Sequence, residues 1–130
     1  MVDELEIPRR DFTVKRNTDW TQPLEWQDAA GVPVDITGLR FKMQLRATYI
    51  GETLATLDSS LNDGSIKIIS EPFGSFELML SRVLTKTLLP DVLLYDFFVI
   101  SDPGGLNERW DCLFEGFINF TPSVTQGDIP

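Results

Sequence analysis

A chain of 130 residues has the length of one domain, and a hydrophobic content of 42% is enough for one packed core. Its 20 acidic against 11 basic side chains give a formal net charge of −9, which disfavours binding to a phosphate backbone. With 0 His and 1 Cys, the chain lacks the usual general base, the common zinc ligand and any intramolecular disulfide. Composition therefore excludes most familiar catalytic and nucleic-acid-binding machinery.

The sequence shows neither a secretory signal nor a membrane span. Asp3, Glu4 and Glu6 stand where a signal peptide needs a basic start and an apolar stretch. The apolar stretches Leu88–Tyr95 and Phe97–Ile100 are far shorter than the roughly 20 residues that cross a bilayer. We therefore expect a protein kept in a cytosol-like compartment, with Cys112 as a buried small hydrophobe.

Alternation of apolar and polar residues with a period of two predicts antiparallel β structure along most of the chain. Phe12 and Val14 open a short first strand, and Trp20 to Trp26 forms a second. Pro23 cannot donate a ladder hydrogen bond, so the second strand is expected at a sheet edge or a bulge. Its core-facing residues share one parity and are Trp20, Gln22, Leu24 and Trp26.

Two turns, at Asp28–Gly31 and Thr37–Gly38, flank a brief extended piece at Val32–Ile36. The strand after the second turn has the clearest pattern in the chain. Its inward residues are Leu39, Phe41, Met43 and Leu45, and its outward residues are Arg40, Lys42, Gln44 and Arg46.

Three further strands are predicted at Thr53–Leu57, Ser65–Ile69 and Ser75–Leu80. The separators Asn62–Gly64 and Glu71–Gly74 predict hairpins. Ser81 to Leu89 is the one segment where a helical turn is expected, because Ser81 can cap it and Pro90 stops it. A long final hairpin is formed by Leu94–Ile100, a turn at Asp102–Gly105, and Arg109–Phe120.

About seven to nine short strands with turns at short intervals indicate an all-β sandwich. The domain is expected to span residues 11–121. Residues 1–10 form a predicted N-terminal arm and residues 122–130 a C-terminal tail, because neither shows a core pattern. For both ends, fraying and ordering on a partner are equally favoured.

Acidic residues form two groups that resemble chemical sites. Asp58, Asn62 and Asp63 lie near Gly64, but their spacing does not match a calcium loop, and a hairpin turn is favoured. Asp96 and Glu115 are candidates for a facing pair like that of a glycosidase, yet such pairs arise by chance in so acidic a chain.

Two other patterns also favour structural roles. Gly104–Gly105 lacks the Lys of a phosphate loop and indicates a turn. Trp20, Trp26 and Trp110 are candidates for a sugar-stacking platform, but strand parity favours the core. We therefore predict no enzymatic activity, no catalytic or metal-binding residues and no cofactor.

Read in order, these segments carry a resemblance to a known family. The sequence resembles a family of small tailed-bacteriophage structural proteins. That family is similar to the N-terminal domain of the phage baseplate upper protein. The first half of the resemblance lies in Asp11-Phe-Thr-Val-Lys-Arg-Asn-Thr-Asp-Trp20 and Leu24-Glu-Trp-Gln-Asp-Ala-Ala-Gly-Val-Pro-Val-Asp-Ile-Thr-Gly38. The second half lies in Gly64-Ser-Ile-Lys-Ile, Gly74-Ser-Phe-Glu-Leu-Met-Leu-Ser, Tyr95-Asp-Phe and Glu115-Gly-Phe-Ile-Asn-Phe-Thr-Pro.

The resemblance covers Phe12 to Val124 and implies an immunoglobulin-like sandwich in a virion, at a tail or baseplate position, assembled in the host cytoplasm. It implies a connector that contacts other tail, baseplate or neck proteins in several symmetric copies. No catalytic residues carry over, and no nucleic acid, membrane or small-molecule substrate is expected. The sequence departs from the family pattern at Asn17, where Gly is frequent, and at Leu93–Leu94, where a Gly-Thr-Tyr turn is usual.

The final hairpin suggests where a partner binds. On its first strand Tyr95, Phe97 and Val99 share the inner face, which leaves Leu94, Asp96, Phe98 and Ile100 outside. On its second strand the predicted inner row is Trp110, Cys112, Phe114, Gly116, Ile118 and Phe120, with Leu113, Glu115 and Phe117 outside.

Phe98 and Phe117 are then near each other on a face that a lone domain would leave polar. We predict a protein contact there, and the alternative is that the chain's own Leu88–Leu93 segment covers this face. The predicted interface comprises Leu88, Leu89, Val92, Leu93, Leu94, Phe98, Ile100, Leu113 and Phe117.

The sequence thus predicts a non-enzymatic virion structural protein. One alternative is a capsid decoration or neck protein, which copy number would distinguish. An alternative of another class is a host-glycan-binding module that acts through exposed Trp. The charge is unevenly spread, since Arg40, Lys42 and Arg46 gather on one outer strand face, and ordinary solubilisation is the favoured reason.

Overall fold

The structure, a computed structural model, describes residues 8–125. Residues 1–7 of the predicted arm and residues 126–130 of the predicted tail lie outside the described residues. The elements in chain order are β1 (Phe12–Lys15), β2 (Trp20–Glu25), β3 (Arg40–Arg46), β4 (Ala55–Asp58), a 3-10 turn (Ser59–Leu61), β5 (Ile66–Ser70), β6 (Ser75–Leu80), α1 (Arg82–Thr87), β7 (Val92–Ser101) and β8 (Arg109–Thr121).

The strands form two sheets. One has five strands in the order β1-β8-β7-β3-β4, and the other has three in the order β2-β6-β5. The order β8-β7-β3-β4 opposite β2-β6-β5 is that of the G-F-C-C′ and B-E-D strands of immunoglobulin domains. The predicted immunoglobulin-like β-sandwich is confirmed. One strand pair of the five-stranded sheet is not antiparallel, because β1 runs parallel to β8.

β2 lies at the edge of its sheet, as Pro23 predicts, and pairs only with β6 among the described strands. The predicted hairpin at Asn62–Gly64 is wrong. β4 pairs with β3 in one sheet, whereas β5 pairs with β6 in the other, so the segment between them crosses the sandwich. The hairpin at Glu71–Gly74 is confirmed.

The core between the sheets is built around stacked phenylalanines. Phe76 on β6 stacks on Phe41 of β3 at 4.8 Å and on Phe97 of β7 at 5.4 Å between ring centroids. Phe114 of β8 stacks on Phe97 at 4.7 Å. These rings join the two sheets across the site where many immunoglobulin domains place a disulfide and a Trp. The predicted inward row of β3 is confirmed, with Phe41, Met43 and Leu45 buried.

The one helix of the described residues closes the end of the sandwich at which β7 begins. Ser81 caps α1 by accepting a hydrogen bond from the Leu84 N–H, as predicted. Buried Thr85 donates its hydroxyl to the Thr18 carbonyl at 2.8 Å. No helix within residues 8–125 has the length and apolar content needed to cross a membrane.

A single guanidinium joins the turn after β1 to the segment after α1. Arg16 donates to the Leu88, Leu89 and Pro90 carbonyls and pairs with Asp91 at 3.1 Å. Next to it, Asn17 has a φ of 66°, in the left-handed region where Gly and Asn are tolerated. The departure at Asn17 therefore preserves the backbone conformation for which Gly is suited.

Candidate protein interface

The outer face of the β3-β7-β8 part of the sheet carries the candidate site. The strand parity places Leu94, Asp96, Phe98 and Ile100 on the outer side of β7, as predicted, although Ile100 is fully buried there. Their facing partners on β8 are Phe117, Glu115, Cys112 and Trp110, and their partners on β3 are Arg46, Gln44, Lys42 and Arg40. The face therefore has a basic and polar side on β3 and an aromatic side on β8, with two carboxylates across its middle.

A bulge on β8 changes which residues face outward. Phe97 faces Phe114 and Phe98 faces Cys112, so Leu113 is an extra residue in β8. Beyond the bulge the parity reverses, and Trp110 and Cys112 lie on the outer side. The predicted inner positions of Trp110 and Cys112 are therefore wrong. Leu113, predicted to point outward, packs against the core instead.

Residues of β3, β7 and β8 on this outer face line an open groove of about 490 Å³. Half-buried Leu94, Phe98 and Phe117 contribute apolar surface to it. Tyr49, in the turn between β3 and β4, also lines it and is 83% exposed. Phe98 and Phe117 line the same groove without facing each other in the ladder, since their facing partners are Cys112 and Leu94. An open, partly aromatic groove of this kind can accept a partner's side chains.

Residues 8–11 run beside β8, and we call them the N-terminal strap; Arg9 of this strap lines the groove. The Arg10 N–H donates to the Glu115 carbonyl at 2.9 Å, and the Glu115 N–H donates to the Pro8 carbonyl at 3.1 Å. The Arg9 guanidinium lies 4.4 Å from the centroid of the Phe117 ring. The strap passes so close to β8 that a Cβ on Gly116 would lie 2.2 Å from the Arg10 carbonyl oxygen.

Two carboxylates face each other on the groove surface. Asp96 on β7 is the ladder partner of Glu115 on β8, so the predicted facing pair is confirmed. Partial desolvation and the nearby Glu115 charge raise the pKa of Asp96, against the attraction of Arg46. Neither carboxylate lies within 4.0 Å of a basic nitrogen in residues 8–125. The pair is therefore a centre of negative charge on this face that has no ion-pair partner within residues 8–125.

Trp110 is 46% exposed and is fixed by three neighbours. Its indole N–H donates to the Glu108 carboxylate at 2.8 Å, and its ring meets Phe98 edge-on at 6.0 Å. The Lys42 ammonium lies 5.7 Å from its centroid. A held, half-exposed aromatic ring beside charged groups is a feature of binding surfaces.

The structure divides the predicted interface residues into three groups. Leu88, Leu93 and Ile100 are buried and Leu113 packs against the core, so these four do not face a partner in this conformation. Leu93 lies on the inner row with Tyr95 and Phe97, which explains its burial. Leu89 and Val92 are exposed, but they do not line the groove. Leu94, Phe98 and Phe117 are brought together in the groove.

The alternative that Leu88–Leu93 covers the outer face is wrong, because no residue of that segment lines the groove. Arg9, Tyr49 and Trp110 line it and were not predicted. An aromatic residue in the turn between two patterned strands was the available signal for Tyr49. For Trp110 the alternation along β8 was misleading, because the bulge at Leu113 reverses which side of the sheet its residues face.

Outside the groove, the acidic residues near Gly64 have structural partners. Buried Asp58 accepts two hydrogen bonds from Arg40, at 3.0 and 2.6 Å, and Asp63 accepts from Ser65. Burial alone would raise the pKa of Asp58, but hydrogen bonds from Arg40 and Ser60 lower its pKa to about 2. Residues 8–125 contain no group of three or more His, Cys, Asp or Glu side chains placed to hold a metal ion.

Cys112 is half-buried on the outer face beside this groove. Desolvation raises the pKa of its thiol, and nearby Asp96 adds to the effect. A raised pKa keeps the thiol protonated at neutral pH, so Cys112 lacks the thiolate character of a nucleophile.

The sequence matches no family model and no curated protein. Among solved structures, the chain is similar to the N-terminal domain of phage TP901-1 ORF48, with a TM-score of 0.49 and 15% sequence identity over 91% of this chain and 90% of that one. The immunoglobulin-like β-sandwich therefore rests on this chain's own strand order.

Proposed function

We propose that this chain is a non-enzymatic structural protein of a tailed-phage virion, at a tail or baseplate position. It connects neighbouring virion proteins through the outer face of β3, β7 and β8. The observation that carries the contact surface is the groove, where half-buried Leu94, Phe98 and Phe117 face solvent on the central part of the sheet.

The motif order supports the phage assignment. The family pattern continues from the first strand to the last, and its segments fall on β1, β2, β5, β6, β7 and β8. The β-sandwich is compatible with many functions, so the fold itself does not favour one over another.

The outer face supports a contact role. In a β-sandwich, the central strands carry polar residues on an outer face that meets water. Here β7 instead presents Leu94 and Phe98 on that face, and β8 presents Phe117 and Trp110. Aromatic residues held in place beside Arg and Lys are the residue types enriched at protein interfaces.

The test is incorporation into particles. A tagged copy of the chain is expressed in infected host cells, particles are purified on a density gradient, and the tag is located by cryo-EM. We expect the chain in the tail or baseplate. A location away from any particle would refute the virion assignment. A copy number on the order of hundreds would favour the capsid decoration alternative, because closed rings of a tail hold far fewer copies.

A surface variant tests the groove in the same assay. We expect Phe98→Lys with Phe117→Lys to fold and to be lost from particles, since it places two charges on the groove surface. Ile69→Lys with Phe73→Lys is the matched control, because it adds the same two charges at exposed apolar positions outside the groove. Incorporation of the double variant at the wild-type level would contradict the proposed contact surface.

A host-glycan-binding role is the second candidate, and the exposure of Trp110 favours it. Its ring shares the groove with Asp96, Glu115 and Gln44, which are polar groups suited to sugar hydroxyls. Binding on a glycan array that Trp110→Ala abolishes would support this role. Phe73→Ala, which removes an exposed ring outside the groove, is the control.

A further inference from the structure

A side-chain amide in the turn between β1 and β2 has only one of its two polar atoms satisfied. The Asn17 side-chain nitrogen donates to the Thr125 carbonyl at 2.9 Å. The oxygen of the same amide is buried and has no hydrogen-bond partner within residues 8–125. A buried carbonyl oxygen without a donor is destabilising, so nearly all such atoms in folded proteins are paired.

The orientation of this amide follows from its partner. The Thr125 carbonyl can only accept a hydrogen bond, so the donating nitrogen of Asn17 must face it. Exchanging the two atoms would place two oxygens against each other. The oxygen of Asn17 is therefore the atom that requires a donor.

The turn that carries Asn17 is held on both sides. The Thr18 hydroxyl donates to the Lys15 carbonyl at 2.6 Å, and the Thr18 N–H donates to the hydroxyl of buried Thr85 at 3.1 Å. Asn17 itself has a φ of 66°, in the left-handed region. A backbone fixed in this way leaves the amide few positions in which its oxygen could reach a different donor.

The chain that leaves β8 runs past this turn. The Arg16 N–H donates to the Thr121 carbonyl at 2.8 Å, and the Lys15 ammonium donates to the Pro122 carbonyl at 3.2 Å. With the contact from Asn17, three consecutive residues hold the chain from the end of β8 to the last described residue.

The position of the amide indicates where its second partner lies. The nitrogen and the oxygen of one amide are neighbours, so a group that donates to the oxygen lies beside the Thr125 carbonyl. The next backbone N–H groups along the chain belong to Gln126 and Gly127, which lie outside the described residues. In an extended chain, a carbonyl and the N–H two residues later point to the same side, which favours Gly127.

We propose that Asn17 is a docking site for the C-terminal segment of this chain, with its amide bound to the Thr125 carbonyl and to the N–H of Gln126 or Gly127. The first residues of the predicted tail are then ordered by the domain itself and need no partner. Asn17 is also where the sequence departs from the family pattern, since Gly suits the same backbone but offers no amide. The inference is independent of the proposed contact surface, because Lys15, Arg16 and Asn17 do not line the groove.

Amide hydrogen exchange of the full chain, followed by NMR, tests this docking. We expect the N–H of Gln126 or Gly127 to exchange at least about tenfold more slowly than in a free peptide of residues 121–130. Asn17→Gly removes the amide and suits the positive φ, so the variant is expected to fold and to lose this protection. Asn62→Gly is the matched control, because Asn62 also has a positive φ, of 54°, and lies in the turn before β5.

Deletion of residues 126–130 is a second variant that leaves the turn itself unchanged. We expect it to shift the NMR signals of the Asn17 side-chain amide, because the donor to its oxygen is removed. Unchanged signals would overturn the docking, as would exchange of both amides at the rate of the free peptide in the wild-type chain. Protection that persists in Asn17→Gly, or that arises only in purified particles, would overturn it as well, the latter by showing that a partner orders the tail.

Discussion

Strand β7 is apolar on both faces, but the two faces differ in what covers them. On the inner face Leu93, Tyr95, Phe97 and Val99 are buried against β8, β3 and the three-stranded sheet. On the outer face Leu94 and Phe98 line an open groove beside Asp96. The comparison shows that an apolar pattern identifies residues that are stabilised by burial. Within the described residues, only the inner face of β7 is fully packed against other elements.

The largest expected effect comes from removing one ring from the inner face. Phe97→Ala deletes a side chain that stacks on Phe76 and Phe114, so we expect a loss of about 3–5 kcal/mol in the free energy of unfolding. Phe98→Ala, one residue away on the outer face, is expected to cost about 1 kcal/mol. Urea denaturation measures both. Equal losses would show that the two faces do not differ as described.

A smaller loss of stability is expected where the N-terminal strap runs beside β8. Gly116→Ala places a methyl group against the Arg10 carbonyl and the Asp11 carboxylate, so we expect a loss of about 2 kcal/mol through strap displacement. The Phe117 N–H, which donates to Asp11 at 2.9 Å, should then exchange its hydrogen faster. Unchanged exchange at Phe117 would contradict the close approach.

The last of these effects depends on pH and comes from Asp58, a buried acid at the end of β4. Asp58 is paired with Arg40, and its pKa of about 2 lies below the ordinary value of 3.8. A depressed pKa means that the ion pair stabilises the fold above about pH 4 and that this stability is lost as the pH falls towards 2. The contribution is about 2 kcal/mol. We expect Asp58→Asn to flatten the pH dependence of unfolding in that range, and a wild-type slope in the variant would disprove the assignment.

Much of the fold follows from local pattern. Alternation around Phe41 and Phe97 predicts β3 and β7, Pro23 predicts an edge strand, and Ser81 with Pro90 predicts the bounds of α1 to within two residues or so. These features depend on a few neighbouring residues, which is why one sequence suffices. The hairpin at Asn62–Gly64 fails because turn residues do not specify which sheet receives the next strand.

The candidate site is only partly predictable. Phe98 and Phe117 are placed outside by parity alone, and the groove contains both. Trp110 is misplaced because a bulge at Leu113 adds one residue to β8, and a shift of one residue reverses every side chain beyond it. Arg9 is missed because its position depends on how closely the strap approaches Gly116.

Hydroxyl-radical footprinting of the free chain and of the chain in purified particles tests the contact surface most directly. Phe98, Trp110 and Phe117 should be modified in the free chain and protected in the particle, because the groove becomes an interface. Phe73, exposed at the turn between β5 and β6, serves as the reference ring in both states. Equal modification of the groove residues in the free and assembled chain would contradict a contact through this face.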